Sequence, residues 1–324
     1  MQPIENHTPD TCKPERKLCN RVCGILLIYM LLMNLVVVCA VWIGAGIELI
    51  RLGKTGYGME QALRELASHA DQLLQNGTGY LVVSGMCLVI ILLWKGPAFF
   101  RSVFRPAQTM SSSVFLQLLC IFMAAQVLSS LFSTALEALF NLWGLSITEA
   151  LVQASGMTNS PTMLLYISLV APVVEELLSR GAVLRSFQPF GKRFAIVFSA
   201  LLFGLFHGNL VQIPFAFLVG LVLGYVAVEY SISWAILLHF INNGIFSTLL
   251  SQAPTFQTLL LLCLFIAGIV IFAAHSNAIR TYHRSLHPMP LPAVRGFWSA
   301  PCTIILLLLC LFSAVLSIQV QTGF

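Results

Sequence analysis

The chain has 324 residues, of which 58% are hydrophobic and only 9% are charged. Soluble domains carry about a quarter charged residues, so a soluble fold is excluded and lipid must be the solvent for part of the surface. The net charge of +5 comes from basic residues spread over several loops. They form no dense basic run, so we do not expect a nucleic-acid partner. The nine cysteines include no CxxC pair, which argues against a structural zinc site.

Charge-free runs predict an all-α polytopic membrane protein with about nine transmembrane helices. The first run follows a polar stretch of about twenty residues and is too long for a signal peptide, so we interpret it as a retained span. Two longer runs are each divided into two helices, at Gly208–Asn209 with Pro214 and at Ser251–Pro254. The predicted spans are roughly 22–48, 78–94, 113–140, 162–186, the two helices of 194–228, the two helices of 231–279, and 298–319.

The basic residues outside the spans support this layout. With nine spans, only Arg51, Lys54 and Arg64 fall on one side of the membrane. Such asymmetry predicts a cytoplasmic N-terminus and an external C-terminus. The thirteen basic residues on the predicted cytoplasmic side are Lys13, Arg16, Lys17, Arg21, Lys95, Arg101, Arg105, Arg185, Lys192, Arg193, Arg280, Arg284 and Arg295.

The fourth span carries ionisable side chains, which are costly in a bilayer and usually functional. Glu176 and Arg180 lie four residues apart on one helix face and can pair directly. Glu175 points about 100° away and is left without that partner. A structural ion pair would explain Glu176 and Arg180, but Glu175 must then face a wet cavity or other polar helices.

Histidines stand in two further spans. Phe203 and His207 share a helix face in the fifth span, and His239 and Asn243 are again four residues apart in the seventh. A lone histidine on a helix is more often structural than catalytic, and His with Asn in a membrane can simply hold helices together. These structural interpretations weaken because three helices contribute complementary groups for one reaction.

Together these groups suit the hydrolysis of an amide bond. A carboxylate can deprotonate water, a histidine can donate to the leaving nitrogen, and His and Asn donors can stabilise an oxyanion. The sequence has no Gly-x-Ser-x-Gly elbow and no His-Glu-x-x-His motif, which argues against a serine nucleophile and a zincin-type site. We therefore predict an embedded catalytic helix bundle that uses no metal and no other cofactor.

The three motifs resemble the signature of the CAAX-prenyl-protease and bacteriocin-processing (CPBP/Abi) family of glutamic-type intramembrane endopeptidases. The resemblance covers roughly 162–252, and Ser179 stands where an aromatic residue is common in that family. The family motifs Glu-Glu-x-x-x-Arg, Phe-x-x-x-His and His-x-x-x-Asn/Asp are matched by Glu175, Glu176 and Arg180, by Phe203 and His207, and by His239 and Asn243.

What the resemblance implies is a set of roles and partners. Glu175 would activate water with His207, while His239 and Asn243 would form the oxyanion hole. The expected partners are the lipid bilayer and a peptide or membrane-protein substrate, without nucleic acid. The flanking sequence is more similar to bacterial members, so we expect a bacterial inner membrane with the N-terminus in the cytoplasm. Structural support of the site would come from Glu176, Arg180 and Phe203.

The predicted organisation places the protease-like domain between flanking helices. We expect a cytoplasmic tail at 1–21, N-terminal transmembrane helices at 22–160, a CPBP-like domain at 161–252 and C-terminal transmembrane helices at 253–324. Two other functions remain open at this point: a non-proteolytic bacteriocin-immunity or membrane scaffold protein, and a transporter. A transporter predicts inverted repeats, and no clear repeat is visible in the sequence.

Overall fold

The computed structural model describes residues 12–68, 76–155 and 160–320, and almost all of its secondary structure is helical. In the described part of the chain, two short strands, β1 (Leu145–Ser146) and β2 (Gln319–Val320), pair antiparallel. The helices there are α1 (Lys13–Lys54), α2 (Met59–Ser68), α3 (Thr78–Lys95), α4 (Pro97–Ser102), α5 (Ser112–Asn141), α6 (Thr148–Ser155), α7 (Pro161–Phe190), α8 (Lys192–Phe206), α9 (Gln212–Glu229), α10 (Ile232–Gln252), α11 (Pro254–Ala274), α12 (Ser276–Ser285), α13 (Leu291–Ser299) and α14 (Pro301–Leu316).

Long apolar helices confirm the predicted all-α polytopic membrane fold. Among the described residues, seven helices are long and apolar enough to cross a membrane, and the bent pair α13–α14 makes eight if it is one span. The remaining predicted span is α8, which has 15 residues and is largely buried by other helices. At about 1.5 Å per residue it is shorter than a hydrocarbon core of about 30 Å. Because other helices surround it, α8 does not need to match the thickness of the lipid.

Both predicted helix breaks are confirmed. Between α8 and α9, Gly208 adopts φ +57, and the Asn209 side-chain oxygen accepts from the backbone N–H of Val211 and Gln212. This left-handed turn suits glycine, and the asparagine satisfies the first free N–H groups of α9. Between α10 and α11, the chain leaves the helix at Ala253, immediately before Pro254.

The last predicted span, 298–319, contains a bend in the structure. The segment 298–319 begins inside α13, and the helical direction changes by 63° before α14. Pro301 disfavours helical geometry in the residue before it, and Ala300 is extended with ψ 123. The predicted segment therefore covers the end of α13 together with α14, the bent pair that passes the span test as one unit.

Small residues bring α8 and α9 into close contact. Cβ atoms added at Gly220 and Gly224 would lie 3.1 Å from side-chain atoms of Ala200 and Ile196, respectively. This spacing of two glycines four residues apart is typical of closely packed membrane helices. Elsewhere α5 packs along α11, and α1 packs against α3, α13 and α14. These contacts surround α7 and α10, which carry most of the candidate site residues.

Candidate active site

A fully buried ion pair forms the base of the candidate site. Arg180 Nη1 donates to Glu176 Oε1 at 2.7 Å, and both side chains are 0% exposed. Arg180 Nη2 donates to the Gly220 carbonyl of α9 at 3.3 Å, and the guanidinium lies 4.1 Å from the centre of the Phe203 ring. The predicted pair is therefore present, and Arg180 also connects α7 to α8 and α9 through a hydrogen bond and a cation–π contact.

Glu176 has a second partner that spacing along one helix did not predict. His239 Nδ1 lies 2.9 Å from the same Glu176 Oε1 that accepts from Arg180. An ionised carboxylate only accepts, so Nδ1 of His239 carries the proton in this contact. This hydrogen bond fixes the ring orientation and directs Nε2 away from Glu176.

Glu175 lies on the more open side of the same cluster. Its Oε2 is 3.9 Å from His239 Nε2, and its side chain is 31% exposed, compared with 0% for Glu176. The two adjacent carboxylates therefore have different environments. Glu176 is held by Arg180 and His239, whereas Glu175 can be reached from outside the protein core.

His207 is also oriented through its Nδ1 atom. It follows the last residue of α8, packs edge-on against Phe203 with ring centres 5.0 Å apart, and places Nδ1 2.9 Å from the Phe203 carbonyl oxygen. Because a carbonyl oxygen only accepts, Nδ1 is the protonated nitrogen. His239 packs edge-on against the same Phe203 ring at 5.9 Å, so one aromatic side chain supports both imidazoles.

Asn243 contacts a different set of groups. Its Nδ2 donates to the Ile167 carbonyl at 3.2 Å, and its Oδ1 accepts from Asn242 Nδ2 at 2.8 Å. Gln126 of α5 donates in turn to Asn242 Oδ1 at 2.6 Å. The sequence motifs did not point to Gln126 or Ile167. For Gln126, a polar amide near the middle of a membrane-spanning helix was the only available signal.

Stretches of π-helix interrupt both α7 and α10 at the site. They cover Tyr166–Val170, Leu177–Leu184 and Ile241–Leu249, and the last two contain Arg180 and Asn243. Such wider turns are frequent at functional sites. They change the register of a helix, and the simple four-residue spacing predicted neither these turns nor the contacts that they permit.

The structure thus brings six of the seven predicted residues into one connected cluster around Phe203 and Glu176. Asn243 lies on the same helix as His239, with its own anchor on α7. Within the described residues, no group of three or more His, Cys, Asp or Glu side chains is arranged to hold a metal ion.

Comparison with known families adds to this geometry. The model of a family described as type II CAAX prenyl endopeptidase, Rce1-like, matches residues 157–245. The predicted resemblance to the CAAX-protease family is confirmed. The Rce1-like segment, 157–245, contains all seven predicted site residues and supports a protease of the CAAX type. The searches of curated proteins and of solved structures found no match.

Proposed function

We propose that this integral membrane protein is an endopeptidase that uses Glu175 to activate water and cleaves a peptide or membrane-protein segment at the bilayer. The observation that carries the proposal is the contrast between two adjacent carboxylates. Glu176 is fully buried and accepts from Arg180 and His239, while Glu175 is partly open and 3.9 Å from His239. A general base must be reachable by water, and Glu175 meets that requirement.

The charges of the cluster suit a protonated His239. Ionised Glu175 and Glu176 contribute two negative charges, and Arg180 contributes one positive charge. In a low dielectric, an unbalanced charge is strongly unfavourable, so an imidazolium at His239 brings the cluster to neutrality. Its Nε2–H, adjacent to Glu175, then becomes a donor for an oxyanion.

The proposed reaction is a single addition of water followed by loss of the amine. Glu175 takes a proton from water, and the resulting hydroxide attacks the scissile carbonyl carbon. His239 Nε2–H and the second N–H of Asn243 stabilise the oxyanion. His207 helps to hold the water. The proton on Glu175 passes to the leaving nitrogen as the C–N bond breaks, which returns Glu175 to its ionised state.

The substrate class also forms part of the proposal. The family description names a CAAX prenyl endopeptidase, so a prenylated C-terminal peptide is the first probe. A transmembrane or lipid-proximal peptide without a prenyl group is the second, because bacterial cells generally lack prenylated CAAX proteins. We further propose that residues 161–252 form the catalytic domain.

The first prediction compares Glu175→Gln with Glu60→Gln, a control on the exposed helix α2. Glu175→Gln removes the base and keeps the side-chain size, so kcat should fall by roughly 10²–10⁴-fold while the protein accumulates normally. Both variants and the parent chain would be assayed in proteoliposomes with quenched-fluorescence peptides, prenylated and unprenylated. The peptides of matched membranes would be compared by mass spectrometry.

The outcome separates an enzyme from a scaffold protein. Peptides that appear with the parent chain and Glu60→Gln but not with Glu175→Gln support the proposed function. Undiminished cleavage by Glu175→Gln removes Glu175 as the base. If all three proteins fold, cleave neither probe and yield identical membrane peptides, the chain is not a peptidase, and a non-proteolytic scaffold or immunity role replaces the proposal.

A further inference from the structure

A row of three side-chain amides connects α5 to the candidate oxyanion donor. Gln126 Nε2 donates to Asn242 Oδ1 at 2.6 Å, and Asn242 Nδ2 donates to Asn243 Oδ1 at 2.8 Å. Asn243 Nδ2 donates to the Ile167 carbonyl at 3.2 Å. Gln126 lies outside the Rce1-like segment, on a helix whose sequence carries no motif.

The anchor of this row is a backbone carbonyl that has lost its helical partner. In a regular helix, the N–H of Ala171 would bind Ile167, but here it donates to the Tyr166 carbonyl. The next residue, Pro172, has no N–H to donate. The Ile167 carbonyl is therefore left for Asn243, and the π-helical turn before Pro172 creates the acceptor.

This anchor sets the direction of every hydrogen bond in the row. A carbonyl oxygen only accepts, so the Asn243 atom that contacts Ile167 must be the NH₂ group. Its Oδ1 then faces Asn242, which must present its own NH₂ group. Asn242 Oδ1 in turn faces Gln126, so Gln126 must donate. Amide orientations are otherwise interchangeable, but the Ile167 carbonyl at one end leaves one consistent arrangement.

The arrangement matters because an amide NH₂ group has two N–H donors. Ile167 takes one donor of Asn243, and the other remains for a substrate oxygen. Reversing the amide of Asn243 would present a carbonyl oxygen to the oxyanion, which is repulsive. A simple adhesive contact between helices would not require this polarity, since either orientation of an isolated amide pair holds helices together.

We infer that Gln126, acting through Asn242, is a positioning residue that keeps the N–H of Asn243 directed at the oxyanion. The inference rests on the proposed function, in which Asn243 binds that oxyanion. Asn242 is only 4% exposed, so an unpaired Oδ1 would be costly there, and Gln126 supplies the donor that it needs.

The test is a double-mutant cycle between Gln126→Met and Asn243→Ala. Methionine matches the length of glutamine but cannot donate. Gln126→Met should lower kcat by roughly 10–100-fold with little change in KM, and Asn243→Ala should lower it by roughly 10²–10³-fold. Added to Asn243→Ala, Gln126→Met should cause no further loss. The control is Gln117→Met, because Gln117 binds Ser113 of its own helix at 3.5 Å.

Several results would overturn the inference. A Gln126→Met enzyme with the parent kcat, or losses that multiply in the double mutant, would show that Gln126 does not act through Asn243. So would a raised KM with unchanged kcat. If Gln126→Met unfolds, Gln126→Leu is the second variant, because leucine also lacks a donor; it should show the same selective loss of kcat. Parent activity in Asn243→Ala would instead refute the oxyanion role in the proposed function.

Discussion

At the scale of single residues, Glu175 and Glu176 differ only in the direction in which the helix points them. Successive helical side chains diverge by about 100°, so Glu176 faces Arg180 and His239 while Glu175 faces the open side of the site. Burial and the hydrogen bonds from Arg180 and His239 make Glu176 a fixed acceptor. Partial exposure leaves Glu175 accessible to water, as its proposed role as the base requires.

The buried pair should be required for folding rather than for catalysis alone. Arg180→Met removes the cation and leaves Glu176 uncompensated in the core, which should lower the free energy of unfolding by about 3–5 kcal/mol. Thermal unfolding in detergent and the amount of protein in the membrane would measure the loss. Arg64→Met is the matched control, since Arg64 pairs with Glu60 at the same four-residue spacing on an exposed helix.

Adding Glu176→Gln to Arg180→Met separates the role of the pair in stability from its role in catalysis. Combining Arg180→Met with Glu176→Gln removes both charges and should recover much of the stability, because the stranded carboxylate is gone. The double variant should still be a poor enzyme, since a neutral glutamine does not balance the positive charge proposed on His239. Equal stability of Arg180→Met and the parent chain would mean that the buried pair does not stabilise the fold.

Motif spacing predicted contacts within a helix and missed contacts between helices. The Glu176–Arg180 pair and the Phe203–His207 contact follow from side chains four residues apart. The Glu176–His239 hydrogen bond joins residues that are 63 apart in the chain, and helix periodicity contains no information about which faces of two helices meet. For the same reason, the hydrogen bond from Gln126 to Asn242 could not be predicted.

At the scale of elements, α7 and α10 are positioned by departures from regular helix. The stretch Tyr166–Val170 leaves the Ile167 carbonyl free for Asn243, and Thr248 Oγ1 donates to the Asn243 carbonyl five residues earlier. A Cβ atom at Gly244 would lie 3.1 Å from the Ser168 carbonyl oxygen, so the two widened turns approach closely. The register of these turns was not predictable, because it depends on contacts between two helices.

Pro172 should favour activity at the expense of helix stability. In Pro172→Ala the backbone regains an N–H, so α7 can return to regular helix and the Ile167 carbonyl can rejoin it. Proline is about 3 kcal/mol worse than alanine inside a helix, which exceeds the roughly 1–2 kcal/mol lost with two buried methylenes. We expect unchanged or higher thermal stability and a kcat lower by roughly 10–100-fold.

The control for this prediction is a proline at a position where helices tolerate it. Pro254 is at the start of α11, where its missing N–H costs no helical hydrogen bond. Pro254→Ala should therefore leave both kcat and thermal stability near the parent values. Full activity in Pro172→Ala would show that the freed carbonyl is not needed to hold Asn243.

At the scale of the whole molecule, contacts between loops constrain how often the chain crosses the membrane. The β1–β2 pair places residues 145–146 beside 319–320, so an even number of crossings separates them. The long helices between these strands, with α13–α14 taken as one span, number five among the described residues. Parity then predicts that the short helix α8 is the sixth crossing, as the nine spans predicted from the sequence require.

Two ends of the bundle are consistent with that count. At the end predicted to be cytoplasmic, Glu229 Oε1 contacts Lys192 Nζ at 2.7 Å and accepts from the Tyr282 hydroxyl at 2.8 Å. Burial raises the pKa of Tyr282, and the Glu229 carboxylate raises it further, so the hydroxyl remains a donor. At the opposite end, Thr162 Oγ1 donates to Asn76 Oδ1 at 3.2 Å. Residue pairs predicted to share a side are therefore in contact.

The orientation of this bundle is the last prediction, and it rests on the distribution of Lys and Arg. Reporter enzymes fused after residues 21, 76, 190 and 324 should read cytoplasmic, external, cytoplasmic and external, and a fusion after 210 should read opposite to 190. The comparison of 190 with 210 tests α8 directly, because these positions flank it. The same side for both would mean that α8 does not cross. The same reading at 21 and at 324 would contradict nine spans, because an odd number of crossings puts the two ends on opposite sides. A reversal at every position would keep the nine-span fold and refute only its orientation.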